Sequence, residues 1–204
     1  NSAFGTATLI SAPILASQQQ QSTKKTDGIN KVKEVRPIVV CTWNFHNATA
    51  KAWEVLNSGG NSLDAVEQGV MVEEADPNNQ TVGLGGRPDR DGKVTLDACI
   101  MDKDSRCGSV VYLQNIVHPV SVARKVMEDT PHIILAGKGA EQFAYEKGFK
   151  KEDLLTEKSR QDWLEWKKTS KYQPIINIEN HDTIGMLAID KNGDGKIAKP
   201  ELFE

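Results

Sequence analysis

Three consecutive residues, His181, Asp182 and Thr183, carry the side chains with the clearest potential for covalent chemistry. Thr183 leads into an apolar run at residues 184–189, which predicts a β-strand with the threonine hydroxyl at its entrance. If the peptide bond after Asp182 is cut, Thr183 becomes an N-terminal residue with a hydroxyl nucleophile and its own α-amine as general base. The sequence therefore predicts a nucleophile that needs no separate histidine.

The two residues before Thr183 have supporting roles in this hypothesis. The Asp182 carboxylate can take the proton of the neighbouring hydroxyl or hold the peptide in a strained geometry. His181 would position Asp182. The same three residues also fit an ordinary junction between a loop and a strand, in which Asp182 makes a local turn hydrogen bond. Their spacing alone does not choose between the two interpretations.

Further motifs bear on that choice, and they follow one another in order between about residues 37 and 190. They are TWNF at 42–45, SGG at 58–60, LDAVE at 63–67, VGLGGRPD at 82–89, LDACIMD at 96–102 and HDTIGM at 181–186. Together they resemble the glycosylasparaginase family, also called aspartylglucosaminidases, among the N-terminal nucleophile hydrolases. The resemblance favours Thr183 as a nucleophile over the loop-to-strand interpretation.

The resemblance also implies a substrate and a reaction. Thr183 would attack the side-chain amide of an asparagine that bears N-acetylglucosamine, without any cofactor, and Trp43 and Phe45 would border the substrate pocket. Without the family, both aromatic residues would be assigned to the core. A β-aspartyl peptidase or an asparaginase is the alternative within this class. A non-catalytic fragment with a calcium-binding loop is the alternative outside it.

Irregular alternation of strands and helices predicts an α+β fold. The predicted helices cover residues 47–57, 62–75, 119–129 and 140–147, with another around Trp163 and Trp166. Trp163 and Trp166 share one helix face, where packing is preferred to sugar stacking. Asp64 and Glu67 lie in a first helical turn and are expected to favour the helix N-terminus electrostatically.

The resemblance implies a four-layer αββα sandwich of the N-terminal nucleophile hydrolases, here incomplete. Residues 35–182 would form an α-subunit-like region and residues 183–204 the first strand of a β-subunit. The family's later Thr-Thr-Ser-Gly, Gly-Arg-Val-Gly-Asp and Thr-Gly segments, which supply oxyanion and carboxylate binding, are absent from this sequence. Because loss of one oxyanion donor costs ~10²–10³ in turnover, this chain alone is expected to be inactive. A complete protein would assemble as an α/β heterodimer or a dimer of heterodimers.

Residues 190–201 fit the ligand pattern of an EF-hand loop at every position. The predicted calcium ligands are Asp190, Asn192, Asp194, Lys196 through its carbonyl, and Glu201. A strand rather than a helix is predicted before this loop. A β-turn at residues 192–195 is therefore the alternative interpretation.

The composition restricts the classes of partner that are expected and indicates a cellular location. The net charge is −3 with interspersed signs, so nucleic acid is not an expected partner. The three cysteines show neither a disulfide framework nor metal-ligand spacing. Cys99 and Cys107 either face each other across a hairpin or are buried thiols.

Residues 1–34 are expected to be a signal-like leader and a flexible linker, since residues 4–16 are apolar and too short for a membrane span. This predicts export to the periplasm or the extracellular space, with a disordered tail as the alternative.

Overall fold

The computed structural model describes residues 37–169 and 183–202. The helices in these ranges are α1 (His46–Asn57), α2 (Ser62–Glu74), α3 (Pro119–Asp129), α4 (Gly137–Glu146) and α5 (Glu157–Thr169). The strands are β1 (Ile38–Cys41), β2 (Leu96–Met101), β3 (Cys107–Leu113), β4 (Ile134–Ala136), β5 (Met186–Ile189) and β6 (Gly195–Leu202). Each predicted helix is present. The bounds of α3 are those predicted, and the ends of α1, α2 and α4 differ from the predicted ends by at most three residues. None of the described helices is long and apolar enough to cross a membrane.

The strands form one sheet in the order β1-β5-β6-β2-β3-β4. All neighbours are antiparallel except β3 and β4. Cys41, the last residue of β1, pairs with Met186, the first residue of β5. The segment that follows β1 therefore lies beside the segment that precedes β5, and the latter contains Thr183.

One face of this sheet packs against the helices. Ala98, Ile100, Val110, Met186 and Ala188 share a single buried cluster with residues of α1, α2, α3 and α4. Alternate residues of a strand point to opposite faces, which explains why every second residue of β5 is buried. The predicted α+β class is confirmed, with one helical layer on one sheet among the described residues.

On the opposite face of the sheet, the neighbouring strands β1 and β5 carry exposed apolar side chains. Ile38 and Val40 of β1 are 50% and 49% exposed, and Leu187 and Ile189 of β5 are 45% and 37% exposed. Such a contiguous apolar surface is rare on a soluble monomer and marks a contact surface. This half-covered sheet is consistent with an incomplete four-layer sandwich.

A tight hairpin turn at residues 190–194 replaces the expected calcium loop. Asp190 accepts a backbone hydrogen bond from Gly193 (2.9 Å) and donates one to Asp194 (3.0 Å), and Gly193 has φ +83°. This is a β-turn closed by a hydrogen bond and followed by a glycine in the left-handed region, as in common three-residue hairpin connections. The alternative of a turn is confirmed, although the turn begins at Asp190 rather than at Asn192.

The predicted calcium ligands are consequently separated along β6. Lys196 pairs with Ala188 of β5, whereas Glu201 pairs with Asp97 of β2. At about 3.3 Å per strand residue, Glu201 lies roughly 20 Å from the start of β6. Calcium needs its oxygen ligands at about 2.3–2.6 Å from one ion, so the structure contradicts the calcium prediction.

Asp190 has a structural role in place of metal binding. Its side chain is buried, and its Oδ1 accepts hydrogen bonds from the backbone N–H groups of Asn192 (2.9 Å) and Asp194 (3.1 Å). Its Oδ2 accepts a hydrogen bond from the N–H of Ser62 at 3.3 Å. Ser62 is the first residue of α2, so Asp190 joins the far end of β5 to the N-terminus of that helix.

The first turn of α2 contains Asp64, as predicted, whereas the prediction is wrong for Glu67, which lies in the second turn. Asn61 caps the helix: its Oδ1 accepts from the Asp64 N–H (2.9 Å), and its Nδ2 donates to the Asp64 carboxylate (2.8 Å). Arg124 of α3 binds Asp64 at 2.7 Å and Glu67 at 2.5 Å. The two carboxylates therefore also hold α2 against α3.

Helix α5 packs on the loop that precedes β2. The Trp163 ring lies 2.8 Å from the position that a Cβ on Gly92 would take, and Lys167 lies 4.6 Å from the ring centre. The buried Ser159 hydroxyl donates to the carbonyl of Gly85. The packing role is thus confirmed for Trp163, whereas Trp166 is 45% exposed.

Candidate active site at the entrance of strand β5

Thr183 is half-buried and lies in an isolated β-bridge three residues before β5. The structure therefore places Thr183 at the entrance of a strand, as the sequence predicts. His181 and Asp182 lie outside the described residues. Their predicted roles beside Thr183 therefore stay predictions.

Residues 42–45 form a corner between β1 and α1, which we call the Thr42 corner. The Thr42 N–H donates to the Gly185 carbonyl at 2.9 Å, and the Gly185 N–H donates to the Thr42 hydroxyl oxygen at 2.8 Å. A Cβ on Gly185 would lie 3.4 Å from the Thr42 methyl group. The Thr42 side chain therefore holds the backbone two residues beyond Thr183. Sequence reasoning assigned no role to Thr42, although it belongs to the TWNF motif.

Trp43 occupies an unfavourable backbone conformation in this corner. Its φ is +61°, a left-handed value that costs a residue other than glycine roughly 1–2 kcal/mol. Its side chain is 51% exposed. Strained residues of this kind persist where the surroundings hold them, and they concentrate at functional sites. A core role is therefore wrong for Trp43.

Phe45 behaves differently from Trp43. It is half-buried and packs against the main hydrophobic cluster, so the core interpretation is confirmed for this residue. Phe45 is also the N-cap residue of α1. The predicted contact of either aromatic residue with substrate stays a prediction.

Comparison with known proteins agrees with this arrangement. The family model described as asparaginase matches residues 23–199. The chain belongs to this asparaginase family. It is 59% identical over 160 residues to the N(4)-(beta-N-acetylglucosaminyl)-L-asparaginase of Elizabethkingia miricola, covering 78% of the chain and 47% of that protein. The proteins of the same name from Mus musculus and Rattus norvegicus are 43% and 42% identical, each over 77% of the chain and 55% and 54% of their own lengths.

This asparaginase-family chain spans about half the length of the curated relatives that it matches. The matched residues include the Thr42 corner and the strand that Thr183 enters. The resemblance that the sequence motifs indicated is thereby confirmed.

Cys41, which directly precedes Thr42 in the chain, is not a competing nucleophile. Burial, and after it the negative charge of Glu73, raises the pKa of the Cys41 thiol to about 11, against the smaller opposing effect of a hydrogen bond from Thr49. Since the thiolate is the reactive form, Cys41 is an unreactive thiol at neutral pH. All three cysteines are thiols, and the register places Cys107 opposite Met101 rather than opposite Cys99.

The glycine-rich segment at residues 82–86 closely approaches the backbone at the end of α2 and at Leu154. The Leu84 N–H donates to the Glu74 carbonyl at 2.8 Å, and the Gly85 N–H donates to the Leu154 carbonyl at 2.8 Å. A Cβ on Gly83, whose φ is +62°, would lie 2.1 Å from the Glu74 carbonyl oxygen. Glycine is thus required there by contact with the end of α2.

Within the described residues, no three side chains of His, Cys, Asp or Glu form a group that could hold a metal ion. The described part of the site therefore offers the Thr183 hydroxyl as a reactive group. This hydroxyl lies at the entrance of a strand whose backbone is held by the Thr42 corner.

Proposed function

We propose that the protein is an amidohydrolase that cleaves the side-chain amide bond of N4-(β-N-acetylglucosaminyl)-asparagine, a step of glycoprotein degradation. The observation that carries this proposal is the position of Thr183 at the entrance of β5, next to the hydrogen-bonded pair of Thr42 and Gly185. The relatives named N(4)-(beta-N-acetylglucosaminyl)-L-asparaginase, which are up to 59% identical to this chain over most of its length, support the glycosylated substrate.

The first step is maturation by cleavage between Asp182 and Thr183. The Thr183 hydroxyl attacks the carbonyl carbon of Asp182 while the Asp182 carboxylate takes the hydroxyl proton. The C–N bond breaks as the new C–O bond forms, and the leaving nitrogen takes the proton from the Asp182 carboxyl group, which gives an ester and a free α-amine on Thr183. Water then opens the ester and leaves Thr183 as a new N-terminus.

The second step is hydrolysis of the substrate, and it needs no cofactor. The Thr183 α-amine takes the hydroxyl proton, and the oxygen attacks the side-chain amide carbon of the substrate. The glycosylamine leaves with a proton, and an aspartyl ester on Thr183 remains. Water attacks this ester, releases aspartate and restores the threonine hydroxyl.

The Thr42 corner positions the nucleophile and borders the substrate in this reaction. Hydrogen bonds between Thr42 and Gly185 fix the strand that carries the nucleophile, and the exposed Trp43 offers an apolar wall for the substrate. Positioning of this kind matters because a displacement of about 1 Å can cost ~10²-fold in rate. The groups that stabilise the oxyanion are expected from the part of the relatives that this chain does not span.

We also propose export and assembly. The apolar run at residues 4–16 supports an export signal. The exposed apolar face with Ile38, Val40, Leu187 and Ile189 supports association as an α/β heterodimer or a dimer of heterodimers.

Hydrolysis assays test the proposed substrate. The gene product that carries this sequence should release aspartate from the glycosylated asparagine faster than from a β-aspartyl dipeptide or from asparagine, and Thr183→Ala should abolish all three reactions. A preference for the dipeptide would favour the β-aspartyl peptidase alternative. Equal activity of the Thr183→Ala variant would refute the nucleophile.

A further inference from the structure

Strands β2 and β3 place three sulfur-bearing side chains on one face of the sheet. Met101 at the end of β2 pairs with Cys107 at the start of β3, and Cys99, two residues before Met101, pairs with Ser109. Successive residues of a strand point to opposite faces. Because Ile100 is buried in the core under the helices, Cys99, Met101 and Cys107 lie on the other face. We call these three residues the sulfur cluster.

The turn between the two strands indicates how closely the members of the cluster approach. The Asp102 N–H donates to the Arg106 carbonyl at 2.8 Å, which makes these residues a hydrogen-bonded pair. The next pair along the ladder, Met101 with Cys107, is therefore not hydrogen-bonded, and at such positions the side chains are closest, with Cα atoms about 4.5 Å apart. Cys99 lies diagonally opposite Cys107, at about 7–8 Å between Cα atoms.

This spacing favours a shared metal ion over a disulfide. A disulfide needs Cα atoms about 4.4–6.8 Å apart, and both cysteines are thiols in the structure. A metal ion spans a wider gap, because two metal–sulfur bonds of about 2.3 Å each replace one sulfur–sulfur bond of about 2.0 Å. Met101, directly opposite Cys107, offers a third sulfur atom.

The donor atoms of the cluster select the kind of ion. Thiolates and thioethers are soft ligands that suit Cu(I). A structural zinc site takes four ligands from Cys, His, Asp and Glu, and no three such side chains are grouped for a metal ion in the part of the chain that the structure describes. All three cluster residues are half-buried, which leaves them within reach of an ion. The cysteine spacing alone does not reveal this ligand set, because one of the ligands is a methionine.

We propose that Cys99, Met101 and Cys107 bind one Cu(I) ion. Both thiols release their protons to solvent as the ion binds, so that two thiolates and one neutral thioether coordinate it. Copper enters and stays as Cu(I), and no electron is transferred. Strand β6 separates β2 from the strand that Thr183 enters, so the copper site does not depend on the proposed hydrolase function.

Competition for Cu(I) with the coloured chelator bicinchoninate, on the full chain and without oxygen, measures this binding. Cys99→Ser and Cys107→Ser each remove one thiolate ligand. The matched control is Cys41→Ser, which removes the remaining thiol on β1, two strands away from β2.

We expect the unmodified protein and Cys41→Ser to take one equivalent of Cu(I) from the chelator with equal affinity. Cys99→Ser and Cys107→Ser should each bind about tenfold or more weakly, and Met101→Leu should lie between them and the control. Because two protons leave, the affinity of the unmodified protein should rise by about a hundredfold per pH unit near neutral pH. X-ray absorption at the copper edge of the loaded, unmodified protein should show sulfur ligands.

Three results would overturn the proposal. The first is an unmodified protein that cannot take Cu(I) from bicinchoninate. The second is an equal loss of affinity in Cys41→Ser and in the two cluster variants, since any thiol would then suffice. The third is copper bound mainly by nitrogen or oxygen in the unmodified protein, a measurement that requires no variant to fold.

Discussion

Thr42 and Gly185 exchange two hydrogen bonds, although they are 143 positions apart in the sequence. One bond joins the two backbones, and the other uses the threonine hydroxyl as the acceptor. Because Gly185 lies two residues after Thr183, this pair fixes the strand that carries the proposed nucleophile.

The variant Thr42→Val removes the hydroxyl and keeps the shape of the side chain. We expect a loss of about 1 kcal/mol in the free energy of unfolding, as for a partly exposed hydrogen bond, with slower cleavage before Thr183. Denaturant unfolding measures the first effect and the mass of the products measures the second. The control is Thr169→Val at the exposed end of α5. Identical behaviour of the two variants would show that the Thr42 hydroxyl has no positioning role.

Gly69 in α2 is required by packing against β5. A Cβ there would lie 2.7 Å from the Met186 sulfur and 2.9 Å from the Ala48 carbonyl oxygen. We expect Gly69→Ala to lower the free energy of unfolding by about 1–3 kcal/mol through overpacking.

The matched control for this substitution is Gly139→Ala in α4, where an added Cβ meets no atom within 4 Å. There alanine should raise stability by roughly 0.5–1 kcal/mol through its higher helix propensity. If Gly69→Ala were as stabilising as Gly139→Ala, the contact between α2 and β5 would be looser than described.

Asp190 is expected to act through backbone hydrogen bonds and without calcium. Asp190→Ala leaves the N–H groups of Asn192, Asp194 and Ser62 without their acceptor, so we expect a loss of about 1–3 kcal/mol in the free energy of unfolding. Added calcium should not change the melting temperature of the unmodified protein. A rise of several degrees at millimolar calcium would restore the ion-binding hypothesis.

The ionised Asp102 carboxylate stabilises the folded protein, and this stabilisation is lost in acid. Its burial would raise the pKa of the carboxyl, but hydrogen bonds from the Arg106 side chain and from the backbone of Arg106 and Asp104 outweigh this and lower the pKa. A lowered folded-state pKa gives stability that is present above the unfolded pKa of about 3.9 and is lost as the pH falls through the folded value.

Asp102→Asn should therefore be less stable than the unmodified protein at pH 7, and the difference should shrink below about pH 4. Urea unfolding at several pH values measures this difference. Asp104→Asn, whose side chain is 62% exposed, should show little change. A stability difference for Asp102→Asn that does not vary with pH would contradict the assigned cause.

The sequence predicted the helices well because their apolar spacing and stop signals are local. It also predicted a strand after Thr183, and the pairing of β5 with β1 supports that position. The calcium loop was wrongly predicted because ligand types at the right spacing do not specify backbone shape. Residues 190–194 form a hairpin turn, and β6 continues as an extended strand between β5 and β2.

The supporting residues of the site could not be predicted from the sequence. Thr42 acts through a partner far along the chain. This relationship leaves no periodic or local signal. The left-handed conformation of Trp43 was equally unforeseen, since no glycine or asparagine marks that position.

Intact-mass and N-terminal analysis of the gene product that carries this sequence tests the central claim most directly. The account predicts that the folded protein separates into two polypeptides, one of which begins with Thr183, and that Thr183→Ala remains in one piece. A folded and complete protein whose bond between Asp182 and Thr183 stays intact would contradict the account.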